Sequence, residues 1–280
     1  MTIGASATLA CLWEATAPKP GNVYRGADFE DLTYADFVTC AAMIGPVVDR
    51  APKYGVGGTV LAGVRITRSA VSTNSNLGIL LLLAPLALVS SDRFESDVDS
   101  VLERLTIDDT RKAYAAIREA NPGGLGEVNE GDVNAAETPQ LNLREVMELA
   151  ADRDLIAQQY VNGFKEVLWT ADRIQAALLH RPMSQAIVYA YLELLVAHPD
   201  SLIQRKCGAA IAEEASRRAA VVLESHASGQ DVYEAALADF DFWLRADGHR
   251  RNPGTSADII AAALFVLLRE GRIQWPVKFY

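Results

Sequence analysis

Three separate stretches of the sequence place small and polar residues directly before an apolar, helix-forming segment. They contain Lys19, Gly21 and Asn22, then Asn74, Asn76 and Gly78, and finally Asn252, Gly254 and Thr255. The start of a helix leaves backbone N–H groups unpaired and carries the positive end of the helix dipole, which favours phosphate. The same residue types are also the commonest helix caps and turn formers. One such stretch alone favours a cap, whereas its recurrence three times favours a phosphate-binding site.

Acidic residues accompany these stretches. Asp28 and Asp31 follow the first, and Asp258 lies in the third. A loop that serves only as scaffold gains little from acids without a partner, so these carboxylates are candidates for chemistry. Asp239 and Asp241 form another pair, and two carboxylates at that spacing could hold Mg²⁺, which prefers oxygen ligands. For that pair a solvated edge is the favoured interpretation.

Arg205 and Lys206 are the candidate cations. They lie one helical turn into a segment that is predicted to be helical over 201–227, close to Gly208. A guanidinium fork and an ammonium point charge could together neutralise a polyphosphate. The alternative is an ordinary solvated pair on a surface helix, and the sequence leaves both open.

The elements that must position these residues are predicted to be helices. The 3.6-residue periodicity indicates helices over about 3–16, 34–50, 59–71, 77–90, 93–104, 109–120, 142–150, 153–169, 171–179, 183–197, 201–227, 230–246 and 256–270. No segment shows the alternation of a half-buried strand. Pro18 and Pro20 end the first helix, and Thr33 with Asp36 predicts a capping box. We expect an all-α fold, a single multi-helix domain over 1–280 with its active site in the inter-helix loops.

Three irregular or broken stretches refine this prediction. Residues 121–141 are the longest irregular segment, and their polar composition fits an active-site loop at least as well as a domain linker. Gly55, Gly57 and Gly58 predict a break before the helix at 59–71. Within 152–164, Asp154 and Gln158 share one helix face, and Asp152 is a candidate N-cap.

Composition excludes several classes of function. A formal net charge of −10 and a pI near 4.9 argue against a general nucleic-acid binder, which needs a basic face. Three scattered cysteines, Cys11, Cys40 and Cys207, predict reduced thiols in a reducing compartment. The most apolar run, over 79–89 and interrupted by Pro85, covers about half of a bilayer. With no signal peptide recognisable at the start, we expect a cytoplasmic protein without a membrane segment.

Taken in order, the motifs resemble those of the triphosphoribosyl-dephospho-CoA synthase family. They are EATAPKPGNV at 14–23, GAD at 26–28, NSNLG at 74–78, RKCG at 205–208 and NPGTSAD at 252–258. The first is similar to the family's E-x-x-x-x-K-P-G-L-V-D, the third to N-T-H-K-G, and the last to N-P-G-G-S-A-D. The resemblance runs from about residue 10 to about residue 270 in the right order, and the ordered set is more specific than any single motif.

The resemblance implies an all-helical, Mg²⁺-dependent pentosyltransferase. Such an enzyme moves the triphosphoribosyl group of ATP to the ribose 2′-hydroxyl of 3′-dephospho-CoA, releases adenine, and makes the precursor of a prosthetic group. On this basis Asp28 and Asp258 are the expected catalytic residues and metal ligands. The phosphates and ribose would contact Lys19, Gly21, Asn22, Asn74, Asn76, Gly78, Arg205, Lys206, Asn252, Gly254 and Thr255. The expected partners are these small molecules and, as one candidate assembly, a second copy of the chain.

Departures from the family pattern keep two alternatives open. Asn76 and Leu77 stand where the family usually has His-Lys, so a charged donor is replaced by leucine. Asn22 and Tyr24 stand near the family's Leu and Asp. The first alternative is a divergent member that acts on another phosphorylated or ribosylated precursor in cofactor biosynthesis. The second is a non-catalytic helical protein that binds a nucleotide.

Overall fold

The protein is built from α-helices joined by short loops. The computed structural model describes residues 1–73, 76–89, 94–121 and 140–280. Within these ranges the helices are α1 Ile3–Thr16, α2 Tyr34–Val48, α3 Ala51–Arg68, α4 Leu77–Leu86, α5 Phe94–Leu102, α6 Ile107–Ala120, α7 Leu143–Glu148, α8 Leu155–Asn162, α9 Lys165–Leu178, α10 Met183–Ala197, α11 Ser201–Cys207, α12 Ala209–Ser225, α13 Gln230–Arg245 and α14 Gly254–Arg269, with a 3-10 turn at His226–Ser228. The described residues contain no β-strand beyond an isolated bridge between Tyr24 and Ala27. The predicted all-α class is confirmed.

Local sequence signals account for most helix ends. The prolines after Thr16 end α1 where expected. The capping box at the start of α2 is confirmed, since the Thr33 hydroxyl accepts a hydrogen bond from the backbone N–H of Asp36 and the Asp36 carboxylate accepts one from the backbone N–H of Thr33. The predicted glycine-rich break is found at Gly55, whose non-helical φ of 69° and ψ of −179° divide α3 into a short segment that begins at Ala51 and a longer helix that starts a few residues earlier than predicted.

Two further predicted helices are divided by residues with positive φ. The predicted helix 153–169 is interrupted at Gly163 and Phe164, with φ angles of 73° and 61°. Gly208, with φ 89°, separates α11 from α12 inside the predicted helix 201–227. The helical periodicity continues across each break. The sequence pattern therefore predicts which side of each helix is apolar better than it predicts where the helix begins and ends.

Two deeply buried helices, α4 and α14, begin at the two later polar stretches. Every residue of α14 from Ile259 to Leu267 is fully buried, and α14 packs against α1, α4, α9 and α10. Helix α4 is buried along nearly its whole length, from Leu77 to Leu86. Because both helices lie in the apolar core, their first turns are held rigidly at the point where the polar loops meet them.

Helix length bears on the expected absence of a membrane segment. In the described part of the chain, no single helix is both long and apolar enough to cross a bilayer. By length and composition alone, the bent pair α10 and α11 would reach the required size together. In this fold most of α10 is buried against other helices.

Candidate functional site

The second and third polar stretches meet where the carboxylate of Asp258 lies against the start of α4. A Cβ atom built on Gly78 would stand 2.0 Å from Asp258 Oδ2 and 2.7 Å from its Cγ. Gly78 is the second residue of α4, so the carboxylate lies at the positive end of that helix. Asp258 is partly exposed, and within the described residues neither carboxylate oxygen has a hydrogen-bond partner. This leaves a carboxyl group free to interact with a ligand.

The surroundings of Asp258 favour its neutral form. Burial raises the pKa of Asp258 well above its ordinary value, and the nearby carboxylates of Glu14, Asp200 and Asp154 raise it further, while Arg205 opposes them. We call Glu14, Gly78, Asp154, Asp200, Arg205 and Asp258 the Asp258 cluster. A carboxyl whose protonated form is favoured in this way can act as a general acid.

Asp200 joins the third stretch to α11. Its Oδ1 accepts hydrogen bonds from the backbone N–H groups of Leu202 and Ile203, at 2.9 and 3.0 Å, and so caps α11. Its Oδ2 accepts from the backbone N–H and the hydroxyl of Ser256, both at 2.8 Å. Burial raises the pKa of Asp200, although these hydrogen bonds oppose the rise. The side chain is fully buried, so Asp200 holds two helix starts together and is not open to a ligand.

Gly254 and Thr255 complete the same junction. A Cβ atom on Gly254 would lie 2.7 Å from Leu202 Cδ2, so a larger residue here would require the Leu202 side chain to move. Ser201 Oγ donates to Thr255 Oγ1 at 3.1 Å and accepts from the backbone N–H of Leu155. Thr255 is buried, so the structure gives its hydroxyl an internal partner where the sequence suggested a phosphate.

The two predicted cations lie beside the cluster. Arg205 Nη1 donates to Asp154 Oδ2 at 3.2 Å, and Arg205 acts electrostatically on Asp258. Lys206 is partly buried, and burial and the charge of Arg205 lower its pKa, while Asp31 and Asp200 oppose this. The guanidinium and ammonium groups are therefore adjacent, as binding of a polyphosphate would require.

The first stretch is fixed by contacts with α10 and α13. Gly21, with φ 75°, donates its N–H to Asp241 Oδ1 at 2.7 Å, and a Cβ there would meet Pro253 Cδ at 3.0 Å. Asn22 Nδ2 donates to the hydroxyl of Tyr191 at 2.9 Å, and that hydroxyl donates to Pro20 O at 2.7 Å. The first stretch thus contacts the third, with the side chain of Asn22 directed into the fold.

Lys19 has an interior position. Its Nζ lies 2.8 Å from Glu14 Oε1 and also donates to the backbone oxygens of Glu14 and Ala17. The side chain has no exposed surface, so a phosphate cannot reach it in this conformation. We therefore reassign Lys19 from phosphate binding to the neutralisation of Glu14, which lies among the acids around Asp258.

Asp28 is placed differently from Asp258. It is exposed, and its Oδ1 accepts a hydrogen bond from the backbone N–H of Tyr34 at 2.7 Å, at the start of α2. Asp241, from the alternative metal pair, is engaged by Gly21 and Arg245. The described residues contain no group of three or more His, Cys, Asp or Glu side chains that could hold a metal ion.

The predicted asparagines fall into three situations. Asn76 is buried, its Oδ1 lies 3.2 Å from Thr67 Oγ1, and its Nδ2 has no partner. Asn252 Oδ1 is likewise buried without a partner within the described residues. Asn74 lies outside the described residues, so its predicted role stays a prediction. The two unpaired amide atoms mark positions where a bound ligand would satisfy a polar group.

Sequence reasoning assigned no role to Glu14, Asp154 or Asp200. Glu14 is the first residue of the first family-like motif, and Asp200 stands directly before a helical segment. The sequence near each of these two residues could therefore have pointed to it. Asp154, and not Asp152, proves to be the N-cap of α8. Their approach to Asp258 spans up to 244 positions of sequence, from Glu14 to Asp258, and no local pattern shows it.

Comparison with known proteins extends over nearly the whole chain. The family model described as ATP:dephospho-CoA triphosphoribosyl transferase matches residues 1–277. Among solved structures, a candidate triphosphoribosyl-dephospho-CoA synthase from Archaeoglobus fulgidus is 27% identical and superposes with a TM-score of 0.67. That match covers 84% of this chain and 100% of the other. No curated protein matches the sequence.

Proposed function

This chain belongs to the ATP:dephospho-CoA triphosphoribosyl transferase family, and from that membership we propose that it transfers the triphosphoribosyl group of ATP to the ribose 2′-hydroxyl of 3′-dephospho-CoA. As a family member it is an enzyme, a pentosyltransferase, so the alternative of a non-catalytic nucleotide-binding protein is set aside. The substrates and the release of adenine are the part that we propose for this chain.

The proposed reaction exchanges one bond at C1′ of the ATP ribose for another. The glycosidic bond to adenine breaks with its electron pair on the base, which takes up a proton. A bond then forms between C1′ and the 2′-oxygen of the acceptor, whose hydroxyl loses a proton. No net proton is taken up or released, and the triphosphate stays intact. The positive charge that develops on the ribose as adenine leaves is stabilised by an acidic environment.

The open carboxyl of Asp258 is the observation that supports this proposal. Burial and the neighbouring carboxylates raise its pKa and so favour the protonated form, which suits it to donate the proton that adenine needs. After donation its charge would lie beside the developing cation of the ribose. Asp28, exposed and bonded to the start of α2, is the weaker candidate for the same work.

The triphosphate would lie against Arg205, Lys206 and the start of α4. The N-cap residue Asn76 makes no side-chain capping bond, so the first turn of α4 lacks the usual competitor for an anion. Among the carboxylates of the Asp258 cluster, Asp258 is the one that lacks hydrogen bonds within the described chain. One available carboxylate fits a Mg²⁺ ion that is held mainly by the phosphates of the substrate. Bound there, the ion would neutralise phosphate charge.

A chromatographic assay of the purified protein tests the proposal. The protein is incubated with Mg·ATP, with and without dephospho-CoA, and free adenine is measured. We expect adenine only when dephospho-CoA is present, together with a new nucleotide product that retains the triphosphate. The proposed acceptor would be contradicted if Mg·ATP stabilises the protein but no adenine is released when dephospho-CoA is present.

Leu77 favours one alternative within the same chemistry. It is buried in the apolar core, so this position supplies no charge where the resembled family carries a cation. An enzyme that lacks this charge suits an acceptor with less negative charge, such as another ribosylated cofactor precursor. In the assay, adenine release with such precursors but not with dephospho-CoA would select this alternative.

A further inference from the structure

Asp154 divides its two carboxylate oxygens between two tasks. As the N-cap of α8, its Oδ1 accepts hydrogen bonds from the backbone N–H groups of Ile156 at 2.9 Å and Ala157 at 3.2 Å. Its Oδ2 accepts from Arg205 Nη1 at 3.2 Å. The two capping bonds fix the orientation of the carboxylate, so the second oxygen offers Arg205 an anchor of defined position.

Both ends of the Asp154–Arg205 pair are held by the fold. Arg205 lies on α11, whose first turn is attached to α14 through Asp200 and Ser256. The side chains of Asp154 and Arg205 are 26% and 31% exposed, so solvent screens the pair less than it screens a pair on the open surface. The guanidinium is therefore more restrained than a surface arginine.

The pair lies at the site and not merely near it. Ile156, in the first turn of α8, would have its Cδ1 2.8 Å from a Cβ placed on Gly78. The charges of Asp154 and Arg205 both act on Asp258, with opposite signs. The bond to Asp154 is the single side-chain hydrogen bond of Arg205 among the described residues, so the other N–H groups of its guanidinium remain available.

We propose that Asp154 is a positioning residue that holds the Arg205 guanidinium ready for the triphosphate of ATP. This inference rests on the proposed function, since it takes a triphosphate as the ligand. Fixing a flexible arginine before binding removes the entropy cost of ordering it on binding. Loss of the anchor should therefore weaken binding of Mg·ATP about fivefold.

The substitution Asp154→Asn separates positioning from capping. Asparagine caps helices as well as aspartate does, but its amide nitrogen cannot accept a hydrogen bond from Arg205. Asp152→Asn is the matched control, because Asp152 is 81% exposed and pairs with Arg153 at 3.6 Å. Titration calorimetry of Mg·ATP binding without acceptor should show weaker binding for Asp154→Asn and no change for Asp152→Asn. If Asp154→Asn unfolds, Asp154→Ser keeps a cap that is too short to reach Arg205.

A double-mutant cycle shows whether Asp154 acts through Arg205. In an Arg205→Ala background, adding Asp154→Asn should cause no further loss of Mg·ATP affinity. Two outcomes would overturn the positioning role alone. In the first, Asp154→Asn causes an equal loss of Mg·ATP affinity in both backgrounds. In the second, the unaltered protein binds and turns over ATP, but Asp154→Asn leaves its affinity for Mg·ATP unchanged. Failure of the unaltered protein to bind Mg·ATP would overturn both the proposed function and this inference.

Discussion

The Oδ2 atom of Asp258 lies so close to Gly78 that a methyl group there would stand 2.0 Å from the oxygen. We predict that Gly78→Ala displaces this carboxyl and lowers kcat about 100-fold, since a displacement of about 1 Å at a reacting group has that effect. Adenine release under saturating substrates measures it. Gly58→Ala is the control, since its Cβ would meet Tyr54 Cβ at 3.3 Å within α3. Wild-type kcat in Gly78→Ala would contradict the role of Asp258.

Replacing the acid itself should remove most of the activity and its dependence on pH. Asp258→Asn cannot donate a proton, so we predict a fall in kcat of about 100- to 10,000-fold. Because burial raises the pKa of Asp258, kcat of the unaltered enzyme should decline as pH rises through that pKa. Rates measured from about pH 5 to about pH 9 should lose this decline in the variant. An unchanged decline would assign the titration to another group.

The same substitution should stabilise the protein above acidic pH. The folded chain binds the proton of Asp258 more tightly than the unfolded chain, because its pKa is raised on folding. Ionisation therefore costs stability as pH rises from the unfolded pKa of about 3.9 through the raised folded value. We predict that Asp258→Asn raises Tm by about 2–4 °C at neutral pH and by less near pH 4. Thermal unfolding at both pH values checks this, and an equal shift at both would argue against ionisation as the cause.

Lys19 and Lys206 should respond differently to the same change. Lys19→Met leaves Glu14 buried without its counterion, so the free energy of unfolding should fall by about 3 kcal/mol. Lys206→Met should leave stability nearly unchanged and weaken Mg·ATP binding about tenfold, because Lys206 is partly exposed beside Arg205. Urea unfolding and calorimetry measure the two effects. A stable Lys19→Met protein with weakened ATP binding would restore the phosphate role to Lys19.

Asp200 should prove to be structural. Asp200→Ala removes the acceptor of four hydrogen bonds at a fully buried junction, and we expect unfolding to become easier by about 3 kcal/mol. Asn142→Ala is the matched loss of a cap away from the site, at the start of α7, and should cost about 1 kcal/mol. Equal effects of the two substitutions in urea unfolding would show that the bonds to Ser256 contribute nothing.

The fold could be predicted from the sequence because its signals are local. Apolar periodicity, the prolines after α1 and the Thr33 cap each act within a few residues, and each is found where predicted. The breaks at Gly208 and Gly163 were missed because periodicity continues across them, whereas one or two residues with positive φ end each helix. Glycine allows that φ without requiring it, so the break depends on packing with distant segments.

The site was predictable only in its parts. The polar stretch before α14 singled out Asp258, but the environment that shapes its pKa comes from Glu14, Asp154 and Asp200, on three other segments. Lys19 was expected at a phosphate because its burial against Glu14 has no signature in the sequence. Burial and charge neighbours depend on tertiary contacts, and these decide whether a polar residue is a ligand contact or part of the core.

The packing of α1 against α14 joins an early and a late segment of the chain. Glu14 lies on α1 and Asp258 on α14, so the acid meets its neighbours only after the ribosome has released almost the entire chain. Stalled or truncated products that end before residue 254 lack Asp258 altogether. Under the proposed role of Asp258, such products would lack the acid that protonates adenine, so a growing chain would gain this activity only after α14 has been made and packed.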